Sequence, residues 1–126
     1  MAECFVDDDH DWVRFSGDIA HIGVCDFKLS GLTAIQEIIF TEPEGFKKRG
    51  QVIANIISDD YSIPLRMPVD GIVTACNRSL LRSPDVLLAA AHLTWMIKVQ
   101  VMQGLNAAPL THWKDYRKNS LFKNGE

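Results

Sequence analysis

The sequence predicts a small, mostly β domain with short helices. Three observations indicate this fold class: short β-branched and apolar runs recur along the chain, turn residues separate them, and no linker or low-complexity stretch interrupts them. At 126 residues the chain has the size of one domain, so residues 1–126 are interpreted as a single unit. Recurrent short strands of this kind favour a small sandwich or barrel.

Seven strands follow from the apolar runs, and turn residues bound them. Pro64 cannot donate a hydrogen bond to a neighbouring strand, so its strand is expected either at the edge of a sheet or to be interrupted at this residue. Residues 41–45 and 47–50 read as turns because glycine, proline and charged residues dominate them. The predicted strands cover residues 12–15, 19–24, 35–40, 52–57, 62–67, 71–76 and 95–101.

Short helices are predicted between and after the strands. Asp26 is expected to cap a short helix that Gly31 ends. Ser83 as N-cap and Pro84 in the first turn predict a second helix, which the alanines that follow favour. From Leu110 onward the apolar residues fall on roughly one helical face, which indicates a C-terminal helical tail over about residues 105–122.

Charge, cysteine usage and hydropathy exclude several functional classes. The formal net charge of -3 gives no basic face for nucleic acid. The three cysteines are far apart with no CxxC pair, so neither a zinc site nor a disulfide framework is indicated. The acidic run at residues 7–11 is interpreted as a solvated face and not as a metal site. No apolar run is long enough to cross a bilayer, and the N-terminus does not resemble a signal peptide, so a cytoplasmic protein is expected.

The stretch from Gly50 to Gly71 is the most informative part of the chain. Two apolar runs flank a polar tip, which consists of Ser58, Asp59, Asp60 and Tyr61. Aspartate is a common turn residue, since it tolerates the left-handed region and bonds to its own backbone, and turn chemistry alone accounts for the pair of carboxylates. A carboxylate tip that binds a metal or a partner's cation is the alternative interpretation.

Several short motifs in this order resemble the H protein of the glycine cleavage system. The family's opening H-[ED]-W-[VI]-R is similar to residues 10–14, its I-G-I-T-D-F to residues 22–27, and its P-V-S-G-x-V to residues 68–73. The resemblance continues through Asn77, Leu80 and Ser83-Pro84, and closes with a W-x-x-K-[VI] pattern at residues 95–99. It covers a core over about residues 6–101, with nearly gap-free spacing.

The resemblance implies a barrel-sandwich hybrid of the lipoyl-domain type, with two small antiparallel sheets and a C-terminal helix. It also implies a carrier, not an enzyme, whose lipoyl arm visits the enzymes of glycine cleavage and rests in a groove between visits. No catalytic residues are therefore expected. Trp12 and Trp95 are candidates for that groove, although large aromatic residues more often belong to a core.

The hairpin tip differs from the family's motif at the position of the lysine to which lipoate is attached. The family's E-S-V-K-A carries lipoate on its lysine, and gap-free spacing from Gly50 to Pro68 puts Asp60 at that lysine and Ile57 at the glutamate. A carboxylate cannot form the lipoyl amide, so the resemblance implies a carrier fold without lipoate. No lysine lies between Lys48 and Lys98.

Three functional hypotheses remain open on the sequence. The leading one is a non-lipoylated, H-protein-like domain that acts by contacts with other proteins, such as glycine-cleavage or lipoate-handling enzymes. The second is a genuine carrier whose arm is attached elsewhere, although Lys48 is twelve residues from Asp60. The third is a small-molecule binding module that reuses the lipoyl groove.

Overall fold

A computed structural model describes residues 3–41, 45–59, 61–101 and 110–116 of the chain. These residues form ten strands, all paired antiparallel, with one short α-helix and three 3₁₀ turns between them. The prediction of a mostly β domain with two antiparallel sheets is confirmed. The strands are β1 (Glu3–Val6), β2 (Asp11–Ser16), β3 (Ile19–Val24), β4 (Glu37–Phe40), β5 (Gly45–Lys47), β6 (Val52–Ser58), β7 (Tyr61–Arg66), β8 (Gly71–Cys76), β9 (Ile97–Val101) and β10 (Thr111–His112).

The larger sheet has seven strands in the order β10-β1-β2-β3-β9-β8-β5. Its predicted strands β2, β3, β8 and β9 are present, and β2 pairs with β3 over six residues as a hairpin closed by Gly17 in the left-handed region. Strands β1, β5 and β10 were not predicted. They are two to four residues long, which is too short for a periodic pattern to be recognised, and β5 and β10 contain at most one large apolar side chain each.

The smaller sheet has three strands in the order β4-β6-β7. Pro64 lies in β7, which is an edge strand, and this confirms the prediction made from its missing N–H group. Ser58 pairs with Tyr61, so only two residues connect β6 to β7. The hairpin predicted over the stretch from Gly50 to Gly71 therefore consists of β6 and β7 of the smaller sheet.

The main core lies between the two sheets. Val13 and Ile22 from the larger sheet meet Ile56 and Leu65 from the smaller one, and each of these four side chains is fully buried. A second, smaller core contains Val6, Trp12 and Cys25, against which Trp95, Trp113 and Tyr116 pack. Alternation of buried and exposed residues along β6 and β8 accounts for the one-sided burial of each sheet.

The helices are shorter than the sequence predicts, and two predicted caps are wrong. The first helix is a 3₁₀ turn, Asp26–Leu29, whose N-cap position is Cys25 and which has no side-chain cap. The α-helix α1 (Val86–Ala90) begins after Asp85 and not at Ser83, and it also lacks a side-chain cap. Further 3₁₀ turns span Arg78–Leu81 and Ala91–Leu93.

The C-terminal tail is described only in part. Residues 113–116 are helical, as predicted, but Leu110 precedes the two-residue strand β10 and does not belong to that helix. The rest of the predicted tail, within residues 102–109 and 117–122, lies outside the described residues. Within the described ranges, no helix has the length and apolar character that a membrane span requires.

Close packing of Trp12 on Gly23 fixes the pairing of β2 and β3. The two residues are directly opposite each other, and a Cβ atom added to Gly23 would lie 2.5 Å from the Trp12 ring. The indole is buried, and its Nε1 donates a hydrogen bond to the carbonyl oxygen of Ala91 at 3.1 Å. The ring therefore cannot move away without breaking that bond.

We expect Gly23→Ala to lower the free energy of unfolding by about 1–3 kcal/mol, because it overpacks a buried site whose ring is held in place. Urea denaturation monitored by circular dichroism measures the change. The double variant Trp12→Leu/Gly23→Ala is the control, since the smaller leucine side chain leaves room for the added methyl group. Strictly additive effects of the two substitutions would contradict this account.

Candidate functional site

The tip of the β6–β7 hairpin is a two-residue turn between Ser58 and Tyr61. Asp59 has a positive φ of 46°, which a two-residue hairpin turn requires at its first central residue and which aspartate tolerates. Tyr61 exposes 65% of its surface beside the turn. Asp60, predicted at the family's lysine position, lies outside the described residues. The described part of the tip thus has the geometry of an intact, solvent-facing hairpin.

Two hydrogen bonds attach the tip to the segment that precedes β4. The buried Ser58 hydroxyl donates to the carbonyl oxygen of Ala34 at 2.5 Å. Gln36 Nε2 donates to Asp59 Oδ1 at 3.1 Å, which holds the side chain of the first turn residue. Of the predicted tip residues, Ser58 therefore has an anchoring role, whereas Tyr61 faces solvent.

Asp85 connects the same segment to helix α1. Its Oδ1 accepts the backbone N–H of Ile35 at 2.7 Å, so this carboxylate is used across the fold and not as a helix cap. The sequence prediction missed this role, because Ser83-Pro84-Asp85 has the appearance of a local helix start. A continuous series of contacts now runs from the tip through Ile35 to α1.

A cavity of about 180 Å³ lies between the first 3₁₀ turn and α1. Leucine side chains from both elements line it together with the carboxylate of Asp26, and polar atoms make up the larger part of its accessible wall. Asp26 also lies 3.5 Å from His92 Nδ1, in an exposed contact that becomes an ion pair only when the histidine is protonated. The lining residues are Asp26, Leu29, Leu32, Leu87, Leu88 and Ala89.

The two tryptophans predicted for the groove lie in the second core and do not line this cavity. Trp12 exposes 1% of its surface, and the guanidinium of Arg14 covers its ring at 4.7 Å. Trp95 is half-buried, with its ring edge-to-face against His21 at 5.6 Å. The leucines that line this cavity could not be distinguished from ordinary core positions by sequence patterns.

Asp11 forms a buried ion pair between the two sheets. The prediction of a solvated acidic run is correct for Asp8 and Asp9 but wrong for Asp11, whose side chain is completely buried. Lys28 Nζ donates to its Oδ1 at 2.7 Å, and the Arg66 N–H donates to its Oδ2 at 3.2 Å. The residue is buried because it continues β2 on the same face as Val13, toward the smaller sheet.

Burial dominates the electrostatics around this pair. It raises the pKa of Asp11 to about 7, while the Lys28 ammonium opposes the rise. Burial likewise raises the pKa of the neighbouring Cys25 thiol to about 12, although a hydrogen bond to Tyr116 lowers it in part. A thiol with so high a pKa is neutral at pH 7 and is a poor nucleophile.

In the described ranges, no group of three or more His, Cys, Asp or Glu side chains is placed to hold a metal ion.

The comparisons with known proteins agree with this architecture. A family model described as "Glycine cleavage H-protein" matches residues 5–121, almost the whole chain. The chain belongs to the glycine cleavage H-protein family. This confirms the resemblance found in the sequence, and membership of this family agrees with the prediction that the chain is not itself an enzyme.

Individual relatives are distant but extend over most of the chain. The glycine cleavage system H protein of Leptospira biflexa is 32% identical over 94 residues, which are 75% of this chain and 72% of the relative. That of Acidobacterium capsulatum is 29% identical over 105 residues, 81% of this chain and 79% of the relative. The H protein 1 of Caldanaerobacter subterraneus is 25% identical over 118 residues, 94% of each chain.

A solved structure is similar in fold at low sequence identity. The crystal structure of the glycine cleavage system H protein from Mycobacterium marinum superimposes with a TM-score of 0.78, covers 95% of this chain and 98% of its own, and is 16% identical. It confirms the lipoyl-domain-type arrangement of two antiparallel sheets.

We expect Lys28→Met to destabilise the protein by about 3–5 kcal/mol at pH 8, because it leaves the Asp11 carboxylate buried without its counter-ion. The loss should be smaller at pH 5. The folded-state pKa of Asp11 is raised, so its contribution to stability is complete below about pH 4 and is lost as the pH rises through about 7. In Lys28→Met the ammonium is absent, so the pKa of Asp11 rises further. The stability of the variant therefore continues to fall with pH beyond the point where that of the wild-type protein has levelled off.

Urea denaturation at pH 5 and pH 8 measures this dependence. Lys48→Met, at an exposed lysine, is the matched control and should change stability by less than about 0.5 kcal/mol at both pH values. If Lys28→Met were equally destabilising at the two pH values, the ion pair would not be the cause.

Proposed function

We propose that this chain is a non-lipoylated member of the H-protein family that acts by binding other proteins. The observation that carries the proposal is Asp60 at the position where the family's motif has its lipoyl lysine, within a stretch aligned without gaps. An amine is needed to take the acyl group from lipoyl adenylate, and a carboxylate cannot form that amide. On this proposal the chain carries no lipoate, and the cytoplasm is its expected compartment.

The described part of the hairpin is well anchored, which supports the proposal that the lipoyl attachment site was lost while the scaffold was kept. Ser58, Gln36 and Asp59 hold the tip by hydrogen bonds, and a two-residue turn connects the two strands. Ile57, in the position of the family's glutamate, is half-buried opposite Glu37 of β4. The tip is thus presented to solvent by a well-anchored hairpin, and its partners would be proteins that recognise this end of the domain, such as glycine-cleavage or lipoate-handling enzymes.

The intact mass of the protein purified from a lipoylation-competent host tests the proposal. We expect the unmodified mass for the wild-type chain. We expect Asp60→Lys to gain the mass of one lipoyl group, because that variant restores the amine at a tip that the scaffold still presents. Asp18→Lys, in the turn between β2 and β3, is the control and should remain unmodified. A lipoyl adduct on any lysine of the wild-type chain would refute the proposal.

A second candidate function is favoured by the cavity beside α1. Leu29, Leu32 and Leu87 line it together with the carboxylate of Asp26, and its accessible wall is more polar than apolar, so it suits a small ligand that combines a short aliphatic part with a polar group. The chain would then be a small-molecule binding module in which this cavity serves as the groove.

Thermal denaturation with free lipoamide tests the second function. If the cavity binds it, the Tm should rise by a few degrees at saturating ligand. Leu88→Ser, in the cavity wall, should abolish the rise, while Leu93→Ser, at a leucine that is 69% exposed, should leave it unchanged. A Tm that does not respond to lipoamide would count against this function.

A further inference from the structure

The smaller sheet has one side in the main core and one side turned away from it. Buried side chains on the core side, such as Ile38, Ile56 and Leu65, alternate with half-buried or exposed ones on the other side. We call this second side the free face of the smaller sheet. The strand register places the following side chains on it: Glu37 and Ile39 of β4, Val52, Asn55 and Ile57 of β6, and Ser62, Pro64 and Arg66 of β7.

The middle of the free face is apolar. Ile39 exposes 42% of its surface, while Val52, Ile57 and Pro64 are half-buried. Ile57 lies on the central strand, directly opposite Glu37, at the position where the family's motif has a glutamate. Contiguous apolar residues with charged residues at the rim are typical of surfaces that bind another protein.

Charged side chains of opposite sign occupy the two ends of this face. The carboxylates of Glu37 and Asp59 lie near the hairpin tip and form the acidic end. The opposite end, the basic end, consists of Lys48, Arg49 and Arg66. One carboxylate, that of Asp70, accepts the Arg49 backbone N–H at 2.7 Å, which leaves the basic end with a net positive charge. Within the described ranges, none of these side chains forms an ion pair.

We propose that the free face binds the same face of a second copy of this chain, about a two-fold axis that runs across the strands. This rotation makes the strands of the two copies antiparallel, so the acidic end of each copy lies over the basic end of the other. It also places the two apolar middles against each other, in the aligned packing that is common for pairs of sheets. A partner with charges of one sign would meet like charge at one end of the face, whereas a second copy meets opposite charge at both.

The size of the free face predicts a weak dimer. Three strands about 4.8 Å apart and about five residues long give a face of roughly 14 by 17 Å. That area is well below the ~800 Å² per partner that a stable interface buries, so we expect a dissociation constant on the order of 0.1–1 mM. The pairing covers the hairpin tip, so self-association would compete with any partner that binds there.

Sedimentation equilibrium at protein concentrations from about 10 µM to about 1 mM tests the proposal. We expect the mean mass to rise toward that of a dimer, and to fall again in about 0.5 M salt because salt screens exposed charges. Amide chemical shifts should change with concentration in β4, β6 and β7. The inference does not rest on the proposed function, and the lipoylation state is read separately from the intact mass.

Charge reversal at each end separates the contact from effects on folding. Glu37→Lys/Ser62→Lys makes both ends positive, and Lys48→Glu/Arg49→Glu makes both ends negative. Each variant alone should therefore dimerise at least about tenfold more weakly than the wild-type chain. An equimolar mixture of the two variants should restore the association, because each copy then meets opposite charge at both ends.

Ser16→Lys/Asp18→Lys, the same exchange of residue types in the exposed β2–β3 turn, is the matched control and should leave dimerisation unchanged. Ile39→Ser should weaken dimerisation without a change of charge. A wild-type chain that is monomeric at every concentration, a mixture that does not associate, or a control as weak as the charge variants would overturn the proposal. So would masses that rise beyond a dimer, or a monomer whose free face responds instead to poly-lysine or poly-glutamate, since the occupant would then be a different partner.

Discussion

The carboxylate of Asp11 is the point on which the arrangement of the two sheets depends. It extends from β2 of the larger sheet and accepts hydrogen bonds from the Lys28 ammonium of the first 3₁₀ turn and from the Arg66 N–H of β7 in the smaller sheet. A buried charge is costly unless its hydrogen-bonding capacity is satisfied, and here both oxygens are satisfied by groups from different elements. Any change in the relative position of the sheets would leave this charge uncompensated. The main effect of this contact is therefore to select one arrangement of the two sheets, and its net contribution to the free energy of unfolding is secondary.

The tip of the β6–β7 hairpin depends on that arrangement indirectly, through the segment that precedes β4. Its anchors, Ala34 and Gln36, belong to the segment between the first 3₁₀ turn and β4, and Asp85 holds the same segment at Ile35. Lys28 fixes the start of this segment and Asp85 fixes its end. The position of the turn is therefore set by side chains from both sheets and from α1. Because these contacts support the tip from outside the turn, the geometry of the hairpin depends little on the identity of the turn residues.

Sequence reasoning predicted the parts of this structure that local pattern determines. The two long hairpins, the edge position of the Pro64 strand and the family resemblance follow from short apolar runs, turn residues and spaced motifs, all of which are local signals. Strand β5 was missed because its pairing with β8 is non-local and only three residues long. Asp11 and Asp85 were misread for a related reason. Each carboxylate lies in a sequence context that indicates a solvated run or a helix cap, while its actual partners are 17 to 55 residues away.

The cavity and the outer face of the larger sheet were not predicted either, because residues that are distant in the sequence form both of them. Leucines that line a cavity and leucines that fill a core have the same spacing, so only the packing of α1 on the first 3₁₀ turn distinguishes them. The alignment of Arg14, His21 and Lys98 on three neighbouring strands is likewise invisible in the sequence, because the three residues lie far apart along the chain. Replacing one nucleophile at the tip removes a covalent chemistry but leaves such surfaces unchanged, because binding between proteins depends on area and complementarity. On the proposal made above, Asp60 at the lysine position removes the covalent chemistry of the scaffold, and binding is the function that remains.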